Sequence, residues 1–464
     1  MLQLIAILLG LSTALDAGGP PADPPTTPRP SVVLVIADDA GWIDFGFNGG
    51  TDIATPEMDR LAAEGVTFGA CYVTASVCSP SRAGLLTGRY QQRFGHEYNL
   101  PGTAPRVDGG LPLDEITIAN RFEAAGLATG LVGKWHLGLA DRFHPIRRGF
   151  DEFHGLRAGS RSYFGDDRLA KGDRRYEHVT EDDSSLTPEA EIEYLTDTMT
   201  NDAVDFIRRH ADRPSFLVVA YTAPHGPMHA RPDDLEAIDE TLRGKRRTYA
   251  AMMRALDRGV GRIADAIDET GRDTMLLFVN DNGGATNNAS DNGPWRGMKG
   301  SLFEGGIRVP AFIHRTSTIP AGSVDHPTTS LDLVATAIAA TGADGAGLDG
   351  IDLAPWLTAA MAPPPSRSLC WRRGPVAAIR DGDLKLIRVE EAGSMLFDVD
   401  ADPGETTNLA GRRPAEVVRL LAGLAAWEHG LVEPRWTTGE YWRRNLLKKH
   451  RMDVRGREAE RALP

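Results

Sequence analysis

The segment with the clearest chemical potential in this sequence is Cys-Ser-Pro-Ser-Arg, which runs from Cys78 to Arg82. Pro80 suits the first turn of a helix, so Cys78 is expected at or just before a helix N-terminus. Backbone donors and the helix dipole favour an anion at such an end. Arg82 lies about one helical turn further on and can point back at the same place. Taken alone, the spacing fits a reactive residue and a buried structural cysteine about equally well.

Acidic and amide side chains follow two apolar runs that we predict to be strands, Ser31–Ala37 and Thr274–Asn280. The candidate metal ligands at these two strand ends are Asp38, Asp39, Asp281 and Asn282. Ligands of open α/β sheets bind beyond the carboxyl ends of the strands, so neighbouring strands would gather three carboxylates and one amide. Such a cluster needs a cation to stay ionised, and its hard oxygens fit Ca²⁺ or Mg²⁺ rather than zinc. Either strand end alone is better explained by an ordinary turn.

Four basic side chains in short motifs are further candidates for the same site: Lys134, His136, His225 and Lys299. Lys134 and His136 are two residues apart after a predicted strand, so an extended chain would turn both to one side. Ordinary roles compete for each of them. Lys299 by itself reads as a solvated surface charge, and His225 reads as a turn residue satisfied by backbone groups.

The elements that must position these residues alternate between strands and helices from residue 31 onward. Further strands are predicted at Leu127–Val132 and Ser215–Tyr221. Helices are predicted at Ile116–Ala125, Thr198–Arg209, Arg247–Glu269 and Leu331–Thr341, and another begins at Thr55-Pro56. This alternation predicts an α/β fold with a large, mixed, mostly parallel sheet sandwiched by helices.

A composition change at Ala359–Ser366 predicts a linker, which divides a catalytic domain at 31–360 from a C-terminal subdomain at 366–464. The small subdomain is expected to be α+β with an antiparallel sheet. Its predicted elements are strands at Val376–Arg380, Leu384–Val389 and Ser394–Val399, a turn at Asp381-Gly382 and a helix at Ala415–His429. The basic stretch Arg443–Pro464 is interpreted as a solvated helical tail.

The N-terminus and the overall charge restrict where the protein acts and what it binds. Residues 1–17 resemble a signal peptide, although no Lys or Arg precedes their apolar run, and 18–30 form a leader rich in Pro and Gly. We therefore expect export to the periplasm or the extracellular space, without a stable membrane span. The net charge of −13 argues against nucleic acid as a partner. The three cysteines, Cys71, Cys78 and Cys370, make no disulfide framework.

Several motifs in order along the chain resemble those of type I sulfatases, a family of the alkaline phosphatase superfamily. The matching segments are Asp38–Trp42, Cys78–Arg82 with Leu85–Arg89, Gly133–Gly138, Ala223–His225, Asn280–Gly284, Arg296–Gly300, Glu304–Pro310, Leu396–Asp398 and Asp402–Leu409. Any one of these short motifs could be chance. Their joint occurrence in this order supports the resemblance.

The resemblance implies that a separate formylglycine-generating enzyme oxidises Cys78 to Cα-formylglycine. One hydroxyl of the hydrated aldehyde would attack sulfur, and the second would expel sulfate from the sulfated hemiacetal. The family pattern assigns calcium to Asp38, Asp39, Asp281 and Asn282, with residue 78 as a further ligand. Calcium rather than magnesium comes from the family and not from the ligand types.

The resemblance also distributes the basic residues around the reaction. It implies that Arg82 steadies the metal cluster and the diol, and that Lys134 and His136 bind the diol and a sulfate oxygen. His225 and Lys299 would bind sulfate and the bridging oxygen, and one of the two would be the general acid. Together with Ca²⁺, these cations would make a positive pocket in an acidic protein.

The implied function is hydrolysis of sulfate esters, with a sulfated carbohydrate as the expected substrate. Asn292 and Arg296 are candidate substrate ligands, and the wider candidate rim adds His96, Glu97, Asn99, His229 and Trp295. Two alternatives stay open at this point. One is a formylglycine-dependent phosphonate monoester hydrolase or phosphodiesterase, and the other is a non-catalytic, calcium-stabilised carbohydrate-binding protein.

Overall fold

The computed structural model describes residues 29–100, 109–165, 179–182, 185–315, 317–357, 366–390, 392–437 and 439–450. Its strands are β1 Ser31–Ala37, β2 Val66–Phe68, β3 Cys71–Tyr72, β4 Ala128–Lys134, β5 Glu152–Leu156, β6 Thr180–Glu181, β7 Ser185–Leu186, β8 Ser215–Ala220, β9 Thr274–Asn280, β10 Ala311–His314, β11 Gly322–Val324, β12 Thr328–Thr329, β13 Leu369–Arg373, β14 Val376–Asp381, β15 Leu384–Val389 and β16 Gly393–Asp398. Its α-helices are α1 Pro56–Glu64, α2 Cys78–Thr87, α3 Ile118–Ala124, α4 Leu195–Arg209, α5 Pro232–Glu236, α6 Gly244–Thr270, α7 Glu304–Ile307, α8 Ser330–Thr341, α9 Ala354–Leu357, α10 Pro414–Glu428 and α11 Gly439–Lys449.

The large sheet has ten strands in the order β11-β2-β10-β9-β1-β8-β4-β5-β6-β7. Its centre, from β9 through β1, β8 and β4 to β5, is parallel, and β10 pairs antiparallel with β9. The carboxyl ends of the central strands therefore meet at one edge of the sheet. The predicted α/β fold class is confirmed by this arrangement.

Strand β1 is buried on both faces and divides the core into two layers. Val32, Leu34 and Ile36 pack in one apolar cluster, whereas Val33 and Val35 pack in the other. The alternation follows from the two-residue period of a strand. Helices α2, α3 and α8 contribute to the first cluster, and α1, α4 and α6 contribute to the second. A continuous apolar run is what a central strand covered by helices on both faces requires.

The C-terminal part forms an antiparallel sheet in the order β13-β14-β15-β16, as the sequence predicted. The turn at Asp381-Gly382 joins β14 to β15, and Gly382 has the positive φ of 60° that such a turn uses. Trp371 and Phe397 of this sheet share an apolar cluster with β1. The predicted linker lies mostly outside the described residues, so the two-domain division stays a prediction.

Two expectations from the sequence need correction. Strand β4 runs to Lys134, so this lysine ends the strand and does not follow it. The stretch that begins at Arg443 was interpreted as a solvated tail, which is wrong for residues 443–450. Helix α11 continues to Lys449, with Leu446 and His450 buried against the rest of the protein. Spacing alone did not reveal this, because few apolar residues anchor a helix that is rich in charged side chains. The residues beyond His450, like the expected signal peptide at 1–17, lie outside the described part.

Candidate active site

The candidate site lies where four neighbouring parallel strands end. Ala37 of β1 pairs with Asn280 of β9, so Asp38 and Asp281 leave adjacent strands side by side. On the other side of β1, β8 leads toward His225 and β4 ends at Lys134. Sequence positions more than two hundred residues apart thus come together, because parallel strands place their carboxyl ends at the same edge.

The four candidate metal ligands form a connected, buried cluster. Asp39 has a left-handed backbone with φ of 69°, and its N–H donates to Asp281 Oδ1 at 3.4 Å. Asn282 Nδ2 donates to Asp39 Oδ1 at 2.7 Å, which leaves Asn282 Oδ1 buried and without a hydrogen-bond partner. A buried amide oxygen without a donor is costly unless a cation or a ligand satisfies it.

Cys78 is the first residue of α2, and Val77 occupies the N-cap position. Every residue of this helix is buried, so the position of Cys78 is determined by packing along the whole element. The Cys78 thiol donates to Asp38 Oδ1 at 3.5 Å, and Lys299 Nζ lies 3.0 Å from Cys78 Sγ. Burial, reinforced by the Asp38 charge, raises the pKa of the thiol to about 12. The side chain is therefore held as a neutral thiol.

Three cations compensate the carboxylates. Lys134 Nζ donates to Asp38 Oδ2 at 2.5 Å, and Arg82 Nε donates to Asp281 Oδ2 at 3.0 Å. Lys299 Nζ lies 2.7 Å from Asp39 Oδ1. Burial raises the pKa of Asp38, but the Lys134, His225 and Arg82 charges outweigh it and bring that pKa well below its usual range. Negative charge is thus concentrated where a cation would bind.

Burial and nearby charges also compete at Asp281, but there the pKa is raised rather than lowered. Burial and the facing Asp38 carboxylate raise its pKa, although Arg82 acts against them. Two neighbouring carboxylates resist being ionised together unless more positive charge is present. A divalent cation beside these oxygens would lower the pKa of Asp281 and allow all three carboxylates to be ionised together.

Two histidines border the cluster in different ways. His225 Nδ1 is 2.6 Å from Gly226 O, which leaves Nε2 directed to the cluster at 3.5 Å from Asp39 Oδ2. Burial lowers the pKa of His225 despite the attraction of Asp38 and Asp39. His136 has a left-handed φ of 58°, and its Nδ1 is buried and has no partner. Its pKa is lowered first by burial and then by Lys134 and Arg82.

One geometric relation summarises the convergence. Single ligand atoms of Asp38, Asp39, Cys78 and His225 all lie within 4.8 Å of one another. Asn282 Oδ1 adds an unsatisfied oxygen beside them. Carboxylate and amide oxygens suit a hard cation such as Ca²⁺, whereas histidine does not, so the oxygen donors fit a metal and His225 remains for substrate chemistry.

The loop that presents His225 is positioned by two residues that sequence reasoning missed. Tyr163 Oη donates to the carbonyls of Thr222 and His225, at 2.6 Å and 2.8 Å. Asn288 Nδ2 donates to the carbonyls of Asp39 and Pro224, at 3.1 Å and 3.3 Å. No local pattern marks either residue, because each acts on a segment roughly sixty residues away or more.

The two proposed substrate ligands do not converge with the cluster. Asn292 is buried, accepts the N–H of Gly284 at 2.8 Å and donates to the Gly284 carbonyl at 3.0 Å. The guanidinium of Arg296 lies over the Phe303 ring at 4.1 Å and donates to the Glu405 carbonyl at 2.7 Å. In this structure both side chains hold loops together, so their binding of substrate stays a prediction.

The wider candidate rim is also largely engaged within the protein. His96 Nε2 is 2.7 Å from Ser79 Oγ, and Asn99 Oδ1 accepts the Ser79 N–H at 3.1 Å, so both support the start of α2. Glu97 is buried and forms an ion pair with Arg372.

The remaining two rim candidates contact neighbouring loops. The Trp295 ring packs against Trp42 and lies beneath the Arg308 guanidinium. His229 Nδ1 lies 3.3 Å from Ser162 Oγ.

The chain is similar to several known proteins. The family model described as Sulfatase matches residues 30–343. N-acetylgalactosamine-6-sulfatase of Mus musculus is 35% identical over 378 residues, which cover 76% of this chain and 69% of that protein. Arylsulfatase A of Homo sapiens is 32% identical over 462 residues, covering 88% and 86%. The crystal structure of Ps i-CgsB is similar with a TM-score of 0.84 and 31% identity, covering 92% and 99%, and that protein has also been solved with k-i-k-neocarrahexaose.

Proposed function

Because this chain belongs to the sulfatase family of sulfuric ester hydrolases, we propose that it removes sulfate from a sulfated saccharide through a formylglycine made from Cys78. The observation that carries the proposal is the position of Cys78. It lies at the N-terminus of α2, 3.0 Å from Lys299 Nζ and beside Asp38. An anion brought to this point meets cationic side chains and the positive end of a helix.

The modification of Cys78 explains why a buried neutral thiol stands at the reacting position. In hydrated form, formylglycine would supply two hydroxyls on one carbon. One would attack sulfur, and loss of the proton from the other would re-form the aldehyde as the C–O bond to sulfate breaks. Asp38, which accepts from the thiol at 3.5 Å, is placed to accept the proton of the attacking hydroxyl or to hold it by hydrogen bonding. The maturation also requires a formylglycine-generating enzyme as a transient partner.

A calcium ion fits the oxygen donors of Asp38, Asp39, Asp281 and Asn282, with residue 78 as a further ligand. The support is the buried Asn282 oxygen, which has no hydrogen-bond partner among the described residues, together with the raised pKa of Asp281, which a nearby cation would lower. When bound, calcium would supply charge that stabilises an ionised hydroxyl and withdraws electrons from the sulfate group. Arg82 holds Asp281 from the side, which keeps that carboxylate oriented toward the site.

The side chains around the site divide the remaining work. Lys134 and Lys299 are anchored on Asp38 and Asp39 and offer further N–H donors to sulfate oxygens. His136 offers a buried nitrogen that has no protein partner. His225 presents Nε2 from a fixed loop, so its imidazolium form, which the negative charge of a bound sulfate ester favours, can give a proton to the departing alkoxide when the S–O bond breaks. The alcohol leaves neutral, and sulfate leaves as the second product.

A saccharide is the substrate class that best fits the compared proteins. One is named N-acetylgalactosamine-6-sulfatase, and another was solved in complex with k-i-k-neocarrahexaose. We extend that chemistry to this chain as a proposal. Within the described residues, no helix is long and apolar enough to cross a bilayer. Export through the N-terminal residues 1–17 stays part of the proposal.

Two measurements test the proposal. Mass spectrometry of the peptide that contains residue 78 should show a mass about 18 Da below that of the cysteine form. Sulfate release from defined sulfated saccharides should require that modification. An intact thiol with full hydrolytic activity would contradict the mechanism.

The family relation leaves one enzymatic alternative, a formylglycine-dependent phosphonate monoester hydrolase or phosphodiesterase. Rates on matched aryl sulfate and aryl phosphodiester substrates separate the two activities. We expect the higher kcat/KM for the sulfate, and a strong preference for the phosphodiester would overturn the assignment. The non-catalytic, calcium-stabilised carbohydrate-binding alternative applies if Cys78 is never oxidised, and the same mass measurement decides this.

A further inference from the structure

The end of helix α11 is docked beside the loop that carries Lys299. His450 Nε2 accepts the N–H of Leu302 at 2.7 Å, and its ring stacks on Phe303 with centroids 5.5 Å apart. Leu446, one turn earlier, is also buried. These contacts fix the last turn of α11 and thereby fix where Lys449 stands.

Two cations of the C-terminal part rest on consecutive carbonyls of this loop. Lys449 Nζ donates to the Lys299 carbonyl, and Arg373 Nη1 donates to the Gly300 carbonyl at 2.9 Å. A Cβ placed on Gly300 would lie 2.9 Å from both nitrogens. The two cationic groups are therefore close neighbours. They meet at Gly300, the residue after Lys299, whose side chain contacts Cys78.

Neither cation has a carboxylate partner among the residues that the structure describes. Arg373 Nε is a buried atom with no hydrogen-bond partner, and Lys449 is exposed. Burial lowers the pKa of Arg373 to about 10, and burial with repulsion from Arg373 and Lys299 lowers the pKa of Lys449 to about 8. In a chain of net charge −13, these two adjacent cations without a paired carboxylate create a local positive potential.

The position of this pair relates it to the reacting centre. Lys449 Nζ donates to the carbonyl of Lys299, the residue whose own Nζ lies 3.0 Å from Cys78 Sγ. We propose that Arg373 and Lys449 form a second anion subsite, and that the substrate carries a carboxylate or another sulfate next to the sulfate ester that is cleaved. The substrate class rests on the proposed sulfatase function. A guanidinium whose Nε–H has no partner among the described residues, next to an exposed ammonium, suits either anion.

Matched disaccharides test the subsite. All carry the same sulfate ester, and they differ in having a neutral neighbour, a uronate or a second sulfate. We expect the wild type to favour one or both dianionic forms by about tenfold or more in kcat/KM, as one or two charge-assisted hydrogen bonds provide. Arg373→Met and Lys449→Met should each reduce that preference, while Lys448→Met, which removes an exposed neighbouring charge, should retain it. Lys449 is exposed, so its substitution is compatible with folding.

A binding arm separates the failure of the subsite from the failure of the proposed function. Calorimetric titration of the Cys78→Ala protein with the same disaccharides needs no turnover. The subsite is supported if the Cys78→Ala protein binds the dianionic disaccharides more tightly and if adding Lys449→Met weakens that binding. This result would stand even if no sulfate ester were hydrolysed and the proposed function failed. Equal affinity and equal kcat/KM for all three disaccharides would overturn the inference. A preference for the uronate or for the second sulfate identifies which anion the subsite accepts.

Discussion

Asn282 Nδ2 donates a 2.7 Å hydrogen bond to Asp39 Oδ1, while the other end of the same amide, Oδ1, is buried without a partner. The hydrogen bond places the NH₂ group of Asn282 against Asp39, and the buried oxygen at the other end of the amide has no donor among the described residues. An orientation that leaves an acceptor unsatisfied is unfavourable in an apoprotein, and it becomes favourable if a cation is the missing partner.

We therefore expect calcium to stabilise the fold. Calcium at 100 times its dissociation constant should add about 2.7 kcal/mol to the free energy of unfolding, and a chelator should remove it. Differential scanning calorimetry with and without calcium measures the shift. Asn282→Ala should reduce the shift, whereas Asn287→Ala, an exposed neighbour, should keep it. A melting temperature that is indifferent to calcium and chelator would exclude the metal site.

Substitution of Cys78 should distinguish the two hydroxyls of the proposed diol. Cys78→Ala should abolish turnover and preserve the fold. Cys78→Ser retains a single hydroxyl, so it should accept one sulfo group and then stall, which intact-protein mass spectrometry would detect. The control is Cys370→Ala, because Cys370 is buried in the C-terminal core away from the site. Sustained turnover by the serine variant would show that a second hydroxyl on residue 78 is not needed.

Lys299 should contribute to binding of the charged transition state. Its Nζ contacts both Asp39 and Cys78, so Lys299→Ala removes positive charge at the reacting position. The expected loss is roughly 10²-fold in kcat/KM, the scale of one lost electrostatic donor. Lys245→Ala removes an exposed lysine and serves as the matched control. Near-normal steady-state kinetics of Lys299→Ala would remove this residue from the mechanism.

His225 should matter most for substrates with poor leaving groups. If its Nε2 protonates the departing oxygen, His225→Ala should cost roughly 10²-fold on a saccharide sulfate. The loss should be much smaller on nitrophenyl sulfate, because nitrophenolate departs without a proton. His429→Ala, at an exposed histidine, is the control. Equal losses on both substrates would assign His225 to sulfate binding and leave the acid role to another group.

Docking of α11 should depend on pH through His450. Burial lowers the pKa of this histidine to about 3, below the ordinary value near 6.5 that applies when the helix detaches. The stability that neutral His450 gives to the docked helix is therefore complete above pH 6.5 and is lost as pH falls toward 3. At pH 5.0 the free energy of docking is reduced by about 2 kcal/mol. Hydrogen exchange of the α11 amides at pH 7.5 and 5.0, corrected for intrinsic rates, measures it. His450→Gln keeps an acceptor for Leu302 and should show a smaller pH effect, and an identical pH effect would contradict the explanation.

Much of the fold could be predicted from local patterns. The run from Ser31 to Ala37 is apolar at every position except the first, and a strand covered on both faces is the structure that such a run favours. Helix α6 was predicted within about three residues at its start, because its apolar side chains recur at helical spacing. The extension of β4 to Lys134 was not predicted, because a charged residue at a strand end adds nothing to the apolar pattern of the strand.

The ligands of the candidate site could also be anticipated, but their arrangement could not. Asp38, Asp281 and Cys78 were chosen for their residue types and short motifs. Only the strand order, with β9, β1, β8 and β4 as neighbours, brings them together. Strand order depends on contacts between distant segments, and no local window of the sequence contains that information.

By itself, the sequence determined the classes of side chain available here: oxygen donors, basic residues and one cysteine before a helix. The tertiary structure decided which of them meet. It turned Asn292 and Arg296 toward neighbouring loops, and it brought Lys449 and Arg373 to the Lys299 loop from a segment that looked like a solvated tail and from a small sheet. The physical reason is that a few buried contacts, such as His450 on Phe303, can fix the position of a charged helix whose sequence shows little apolar periodicity.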